Sequence, residues 1–296
     1  MTATDAAAAL DRALAVFDVV QVDEKTFTAT SLDHPGGRIF GGQVLAQALI
    51  AAGRTVAPDR RPHSLHGYFL RPGTTDEPVT YSVDALRDGS SFSARRTHAL
   101  QAGLPILSMT ASFQRDSPGL DHADEMPPAP DPETLPSFAD LYGEIEHPTA
   151  QYWSYGQPID GRSVSPSIFV TPQEERSPEV LSWWRVAKAL PDDPLLHAAI
   201  AAYASDISII EPVARNHGIS WSTPGTSIAS LDHAMWFHRP MRADDWTLYQ
   251  AHSPSAFGAR GLSIGKMFAR DGRLVTSVAQ EGMFRVPWIG GPDGAR

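Results

Sequence analysis

His63-Ser64-Leu65-His66-Gly67-Tyr68-Phe69-Leu70-Arg71-Pro72 returns later in the chain as Leu231-Asp232-His233-Ala234-Met235-Trp236-Phe237-His238-Arg239-Pro240. The residues after each stretch repeat as well. Ser91-Phe92-Ser93-Ala94-Arg95 has its counterpart in Ser255-Ala256-Phe257-Gly258-Ala259-Arg260, and Gly103, Ile106 and Ala111 meet Gly272, Leu274 and Ala279. A period this long exceeds any solenoid unit and predicts two copies of one small domain. Chemistry is then expected where the copies differ.

The first copy opens with Phe17-Asp18-Val19-Val20-Gln21-Val22, read as a strand. Phe40, Val44, Ala48 and Ala52 then recur at four-residue steps with Leu45 and Leu49 beside them, which predicts a helix wrapped on most sides. Short strands are expected at about 65–70, 78–87, 91–101 and 105–114, with hairpin turns at Asp88-Gly89 and Ala102-Gly103. Pro118, Pro127, Pro128, Pro130, Pro132 and Pro136 among acidic residues predict an extended, solvated linker. The second copy repeats the order, with a helix over Pro194 to Asp206, strands near 227–238, 246–253, 257–269 and 273–284, and a last turn at Asp271-Gly272. This divides the chain into an N-terminal domain at 1–115, a proline-rich acidic linker at 116–157 and a C-terminal domain at 158–290.

Composition bounds the function. Among 296 residues, 42% are hydrophobic and 20% charged, enough to bury a sizeable core. The absence of cysteine excludes disulfides, thiolate metal sites and a cysteine nucleophile. A formal charge of −10 argues against nonspecific nucleic-acid binding, which depends on lysine and arginine neutralising phosphates. Met1-Thr2-Ala3-Thr4-Asp5-Ala6-Ala7-Ala8-Ala9-Leu10 reads as a helix start and not a signal peptide, no apolar run is long enough for a membrane span, and Asp293-Gly294-Ala295-Arg296 is not a peroxisomal address. The expectation is a cytoplasmic protein.

Asp206 stands out in Ala201-Ala202-Tyr203-Ala204-Ser205-Asp206-Ile207-Ser208-Ile209-Ile210, a stretch otherwise made for burial. A lone aspartate in such a place more often caps a helix break or faces solvent; as a functional group it is a carboxylate placed to act as general base toward water. Gln280, where the first copy has Ser112, offers an amide that can hold a water or polarise a carbonyl. Ser230 supplies a hydroxyl, although serines at strand starts are common.

A long apolar helix followed by an antiparallel sheet wide enough to wrap it resembles the hot-dog domain. Two tandem copies in one chain make an α+β double hot-dog. The residues further resemble the acyl-coenzyme A thioesterase II family, the TesB-like enzymes. The resemblance runs through Arg38 to Leu49, His63 to Gly73, Asp88 to Arg96, Met109 to Gln114, Tyr203 to Asp206, Leu231 to Pro240 and Gln280 to Gly282, nearly the whole chain. It implies hydrolysis of acyl-CoA to free fatty acid and CoA without a cofactor or metal. The catalytic triad it implies falls on Asp206, Ser230 and Gln280. Gly41 and Gly42, opening the first helix, are candidate oxyanion donors, although close helix-to-sheet packing needs glycine equally. Arg60 and Arg61, with Arg54 or Arg95 and Arg96 as alternatives, are candidate contacts for CoA phosphates; such residues more often form a solvated face. The segment from about 120 to 190, with Trp153 and Tyr155, departs most from the family pattern and bears on acyl specificity. The resemblance also suggests a homodimer or homotetramer.

Three rival readings are open to test. Gly261-Leu262-Ser263-Ile264-Gly265 fits a serine-esterase elbow, but it lies in a strand-like run and no histidine follows it. Asp232-His233 could form the dyad of a hot-dog enoyl-CoA hydratase, but adjacent residues of a strand point to opposite faces. A noncatalytic acyl-CoA-binding protein would lack the polar triad. The histidine pairs His63 with His66 and His233 with His238 lack a metal-site context.

Overall fold

The computed structural model describes residues 3–166, 168, 169 and 172–286. The last four positions of the expected C-terminal domain, 287–290, and the C-terminal tetrapeptide lie outside the described residues. The first half runs α1 (Ala3–Phe17), β1 (Val20–Gln21), β2 (Thr26–Ala29), α2 (Gly41–Gly53), β3 (Arg60–Phe69), β4 (Val79–Asp88), β5 (Phe92–Gln101) and β6 (Leu104–Arg115). Between the halves lie α3 (Phe138–Tyr142) and α4 (Pro148–Gln151). The second half runs β7 (Ile159–Ser163), β8 (Glu179–Val186), α5 (Pro194–Ser205), α6 (Glu211–Asn216), β9 (Ser227–Ser230), β10 (Asp232–Phe237), β11 (Thr247–Phe257), β12 (Arg260–Ala269) and β13 (Leu274–Arg285).

The described strands join one antiparallel sheet in the order β1-β2-β4-β5-β6-β3-β10-β13-β12-β11-β8-β7, with β9 on the end of β13. Read inward from both ends, the order is mirrored about the β3–β10 pair. That pair joins the two similar stretches of sequence. His66 faces Ala234, the equivalent position of the repeat, and the flanking partners are Gly67 with His233 and Leu65 with Met235. A two-residue turn closes β5–β6 at Ala102-Gly103, where the sequence places it, and another closes β11–β12 at Gly258-Ala259, inside a stretch expected as strand. Ala102 and Gly103 both take positive φ (48° and 74°), as do Gly258 and Ala259 (60° and 58°), the twist that tight antiparallel hairpins require.

The sheet wraps two helices. Gly42 to Ala52 of α2 and His197 to Ser205 of α5 are buried throughout, as their nearly all-apolar faces demand. The helices run antiparallel at close range. A Cβ on Gly53 would lie 2.5 Å from the Leu195 side chain, and one on Gly42 would lie 2.6 Å from the Tyr203 carbonyl. The N-terminus of α2 therefore meets the C-terminus of α5.

Three expectations are corrected. The strand expected over Phe17 to Val22 shrinks to two residues: Phe17 ends α1, and Asp18 and Val19 connect it to β1. Leu10, Ala13 and Phe17 recur on one face of α1 and are buried, so helical burial wins and only Val20–Gln21 pairs. The strand expected over 227–238 breaks at Leu231, giving β9 and β10, both paired to β13. The linker expected over 116–157 is neither wholly extended nor wholly solvated. Its first part straps the second half: Met126, Ala129 and Leu135 pack on Trp183, Trp246, Leu248 and Phe268, and the Trp183 indole donates to the Pro130 carbonyl at 3.0 Å. Beyond it, Ser137 and Asp140 form a capping box for α3, and Phe138, Tyr142, Tyr152, Trp153 and Phe169 build a cluster of their own. Proline content signalled an extended chain, while the aromatics after Pro136 supply enough apolar surface to fold it.

Candidate active site

The sequence of α5 ends its helical burial at Asp206, which becomes the C-cap residue. A carboxylate at the C-terminus of its own helix is poorly placed for the helix dipole, but here it faces the opposite pole of a second helix. Phe40 caps α2 without a side-chain hydrogen bond, and the Gly42 N–H of the first turn donates to the Asp206 carboxylate instead. A Cβ on Gly41 would stand 2.8 Å from Asp206 Oδ2, and one on Gly42 3.1 Å from Asp206 Cβ. Both glycines are needed for the approach.

Ser230 ends β9 and Gln280 lies on β13, and the strand pairing of β9 with β13 carries them to Asp206. The Gln280 amide spends both N–H groups there. Its Nε2 donates to Asp206 Oδ1 at 3.0 Å and to Ser230 Oγ at 2.8 Å. The Ser230 hydroxyl donates to the same carboxylate. Asp206, Ser230 and Gln280 thus form one hydrogen-bonded cluster at the mouth of α2. Burial pushes the Asp206 carboxyl up to about 6, against the opposing pull of Gln280, Gly42 and Ser230. Near neutral pH it is ionised and a competent proton acceptor. Tyr203 and Tyr249 are buried beside it and held protonated, their ionisation raised by burial and by the nearby carboxylate.

The remaining sequence candidates lie elsewhere. Arg60 donates to Ser93 Oγ at 2.8 Å and to the Gly89 carbonyl at 2.7 Å. Arg61 pairs with Asp116 at 3.4 Å and lines a 680 Å³ cleft with His197, Arg239 and Arg242 at the start of α5. Arg54 binds Asp18 and the Val19 carbonyl, Arg95 is buried on Asp88, and Arg96 pairs with Asp84. Arg54 is the C-cap of α2, so this end of the helix pair lies roughly 20 Å from Asp206 at 1.5 Å per residue. Within this chain these arginines are not brought to the cluster.

The rival motifs resolve on geometry. Ser263 sits mid-strand in β12, buried and in register with Gln280, without the strand-turn-helix of an elbow. Asp232 accepts the Glu281 N–H at 2.7 Å, while His233 points into the core from the other face of β10. Sequence reading passed over what His233 touches there: its Nδ1 meets Gln280 Oε1, and its Nε2 lies 2.9 Å from Ser205 Oγ. A signal existed, because the first copy has Leu65 at the position of His233; opposite Leu65 the folded sheet places Ala111, and not Ser112, as the counterpart of Gln280.

Residues 162–283 match the acyl-CoA thioesterase family and residues 30–114 its N-terminal domain. Human acyl-coenzyme A thioesterase 8 is 38% identical over 92% of this chain and 88% of its own length. Acyl-CoA thioesterase 2 of Haemophilus influenzae is 33% identical over 93% and 98%. The crystal structure of the acyl-CoA thioesterase II TesB2 of Mycobacterium marinum superposes with a TM-score of 0.77 at 39% identity, covering 93% of this chain and 99% of that one. A hot dog fold protein from Alicyclobacillus acidocaldarius, at 20% identity and a TM-score of 0.76 over 93% and 98% of the two chains, shares the fold. No helix among the described residues is long and apolar enough to cross a membrane. With this hot-dog architecture and these relatives, the chain belongs to the TesB-like acyl-CoA thioesterase II family of thioester hydrolases.

Proposed function

We propose that this protein hydrolyses acyl-CoA thioesters to a fatty acid and free CoA by direct attack of water, with Asp206 as general base and Ser230 and Gln280 as the groups that hold the water. The convergence of three side chains from α5, β9 and β13 on one cluster at the start of α2 carries this reading. A water docked at Asp206 gives its proton to the carboxylate as its oxygen bonds to the thioester carbon. Ser230 and Gln280 fix the line of attack, so one bound geometry replaces a random encounter. Gly41 and Gly42 bring the N-terminus of α2 to the reacting carbon; with the Gly42 N–H taken by Asp206, the Gly41 N–H and the helix dipole are what favour the tetrahedral oxyanion. Collapse of that intermediate breaks the C–S bond, and the proton held by Asp206 balances the departing thiolate.

The mirrored sheet order supports a duplication in which a first half at 1–115 and a second half at 158–290 share the fold, and only the second carries the triad. The test is release of free CoA, read with a thiol reagent, from acyl-CoAs of graded chain length, with wild type beside Asp206→Asn. Wild type releases thiol and the variant loses at least about 100-fold, within the range for removing a general base. No thiol release at any chain length, full activity in Asp206→Asn, or consumption of an enoyl-CoA without thiol release overturns the reading.

A further inference from the structure

We propose that His233 is a positioning residue that fixes which way the Gln280 amide faces, and that Ser205 in turn fixes the tautomer of His233. The proposal rests on the hydrolytic reading above and assigns a fourth and fifth residue to the site.

An amide side chain is nearly symmetric in shape and opposite in chemistry at its two ends. Turned one way, Gln280 offers two N–H donors to Asp206 and Ser230. Turned by half a revolution, it would set a carbonyl oxygen against a buried carboxylate, a repulsion unscreened by water. Something must therefore read the far end of the amide. His233 does so: its Nδ1 is against Gln280 Oε1, and both residues are fully buried. The contact is attractive only if Nδ1 carries a proton, since an oxygen acceptor faces it. Burial pushes the imidazole down to about 4, so at working pH it is neutral and carries one N–H only. With that proton on Nδ1, Nε2 is an acceptor and needs a donor. Ser205 Oγ, itself buried, stands 2.9 Å from Nε2 and 2.9 Å from the Ala202 carbonyl, and in this arrangement its one proton turns to the imidazole. The chain of bonds runs from the Ser205 hydroxyl through the imidazole and the amide to the carboxylate and hydroxyl of the triad.

The repeat points the same way independently of the distances. Where β10 and β13 set His233 beside Gln280 in the second copy, β3 and β6 set Leu65 opposite Ala111 in the first. Leu65 is also fully buried, so this position of the strand accepts a hydrocarbon. A desolvated imidazole is present in the half that has the glutamine and absent in the half that lacks it. Packing alone does not call for that pairing.

The experiment compares His233→Leu, the first-copy residue, with His233→Asn, whose amide N–H can donate where Nδ1 does, and Ser205→Ala. Steady-state kinetics on an acyl-CoA that wild type hydrolyses are combined with ¹⁵N NMR of the histidine ring in the wild-type protein. His233→Leu is expected to lower kcat roughly 10- to 100-fold, the scale of a misplaced catalytic group, with KM changed less than about 3-fold. Its acidic limb of kcat/KM is expected to move to higher pH, because a freed amide no longer favours the Asp206 carboxylate. His233→Asn restores most of kcat and the limb, and Ser205→Ala falls between. The NMR readout, needing no turnover, is expected to show a neutral ring protonated on Nδ1 from pH 6 to 9. Wild-type kcat and limb in a folded His233→Leu, no rescue by His233→Asn, or a ring protonated on Nε2 overturns the positioning role. If Asp206→Asn is inactive in the same assays, the hydrolytic reading stands while this one falls. Should His233→Leu fail to fold, His233→Asn and the tautomer decide.

Discussion

Gly42 and Tyr203 lie back to back at the crossing of the two central helices, so close that a methyl group on Gly42 would stand 2.6 Å from the Tyr203 carbonyl oxygen. The obstacle is backbone and cannot swing aside. Gly42→Ala must therefore push α2 away from α5, at the cost of about 1–3 kcal/mol typical of overpacking. It also pulls the Gly42 N–H from Asp206. A fall in melting temperature together with at least a tenfold loss of kcat/KM is the expected pair of results. A variant with wild-type kcat and melting temperature would show that the close approach is dispensable.

Asp206 carries a cost in the folded state. Its folded value of about 6 lies above the ordinary 3.8, so between those pH values the folded state binds more protons than the unfolded one, and stability falls as pH rises. The full penalty, roughly 3 kcal/mol from a two-unit displacement, is in force above pH 6 and absent below pH 4. Asp206→Asn is thus expected to raise the melting temperature at pH 7 while abolishing turnover, with the gain fading toward pH 4. For the wild-type enzyme, kcat/KM should climb through pH 6 and level off above it. Calorimetry at pH 4, 5.5 and 7 with a pH-rate profile checks both.

Glu211 and Arg215 form a second buried charge site, on α6, 3.5 Å apart with side chains about 5% exposed or less. Burial raises Glu211 to about 7 in spite of Arg215, so attraction only partly offsets desolvation. Glu211→Leu alone leaves a buried guanidinium unpaired and is expected to cost about 3–5 kcal/mol, whereas adding Arg215→Met recovers most of it. Urea titration of the two single variants and the double variant measures this coupling. Additive losses would mean that the two groups are independent.

Trp153 stacks on Phe169 with ring centroids 4.5 Å apart and meets Tyr152 and Phe138 edge-on. This cluster holds the helical stretch between the halves. Trp153→Ala is expected to cost about 3–5 kcal/mol and, because the cluster is separate from the main core, to release residues 138–156 first. Hydrogen exchange should accelerate there while β3 and β10 stay protected. Uniform acceleration would place the segment within the global cooperative unit.

Periodicity made the central helices and most of the strands legible, because Phe40, Val44, Ala48 and Ala52 bury one after another and the hairpin turns carry Gly beside Asp or Ala. The three residues of the hydrogen-bonded cluster stood out as polar side chains in apolar surroundings. Their mutual bonds span 50 and 74 positions of sequence and had to await the sheet. His233 was missed for a related reason. Its chemistry depends on a partner 47 residues away on a neighbouring strand, and beside Asp232 it reads as a failed dyad. The folded stretch from Phe138 was hidden behind prolines, since six of them in a short span outweighed five aromatics spread over a longer one.

The meeting of β3 with β10 has a consequence for how the site is calibrated. β10 is at once the seam between the halves and the strand that bears His233. Side chains alternate along a strand, so a slip of one residue at the seam would turn His233 out to solvent and bring Asp232 inward. Gly67 opposite His233 and Leu65 opposite Met235 set that register. The junction that holds two half-molecules together is thus also the gauge against which a single amide is aligned, and mis-joined halves would be silent before they were unfolded.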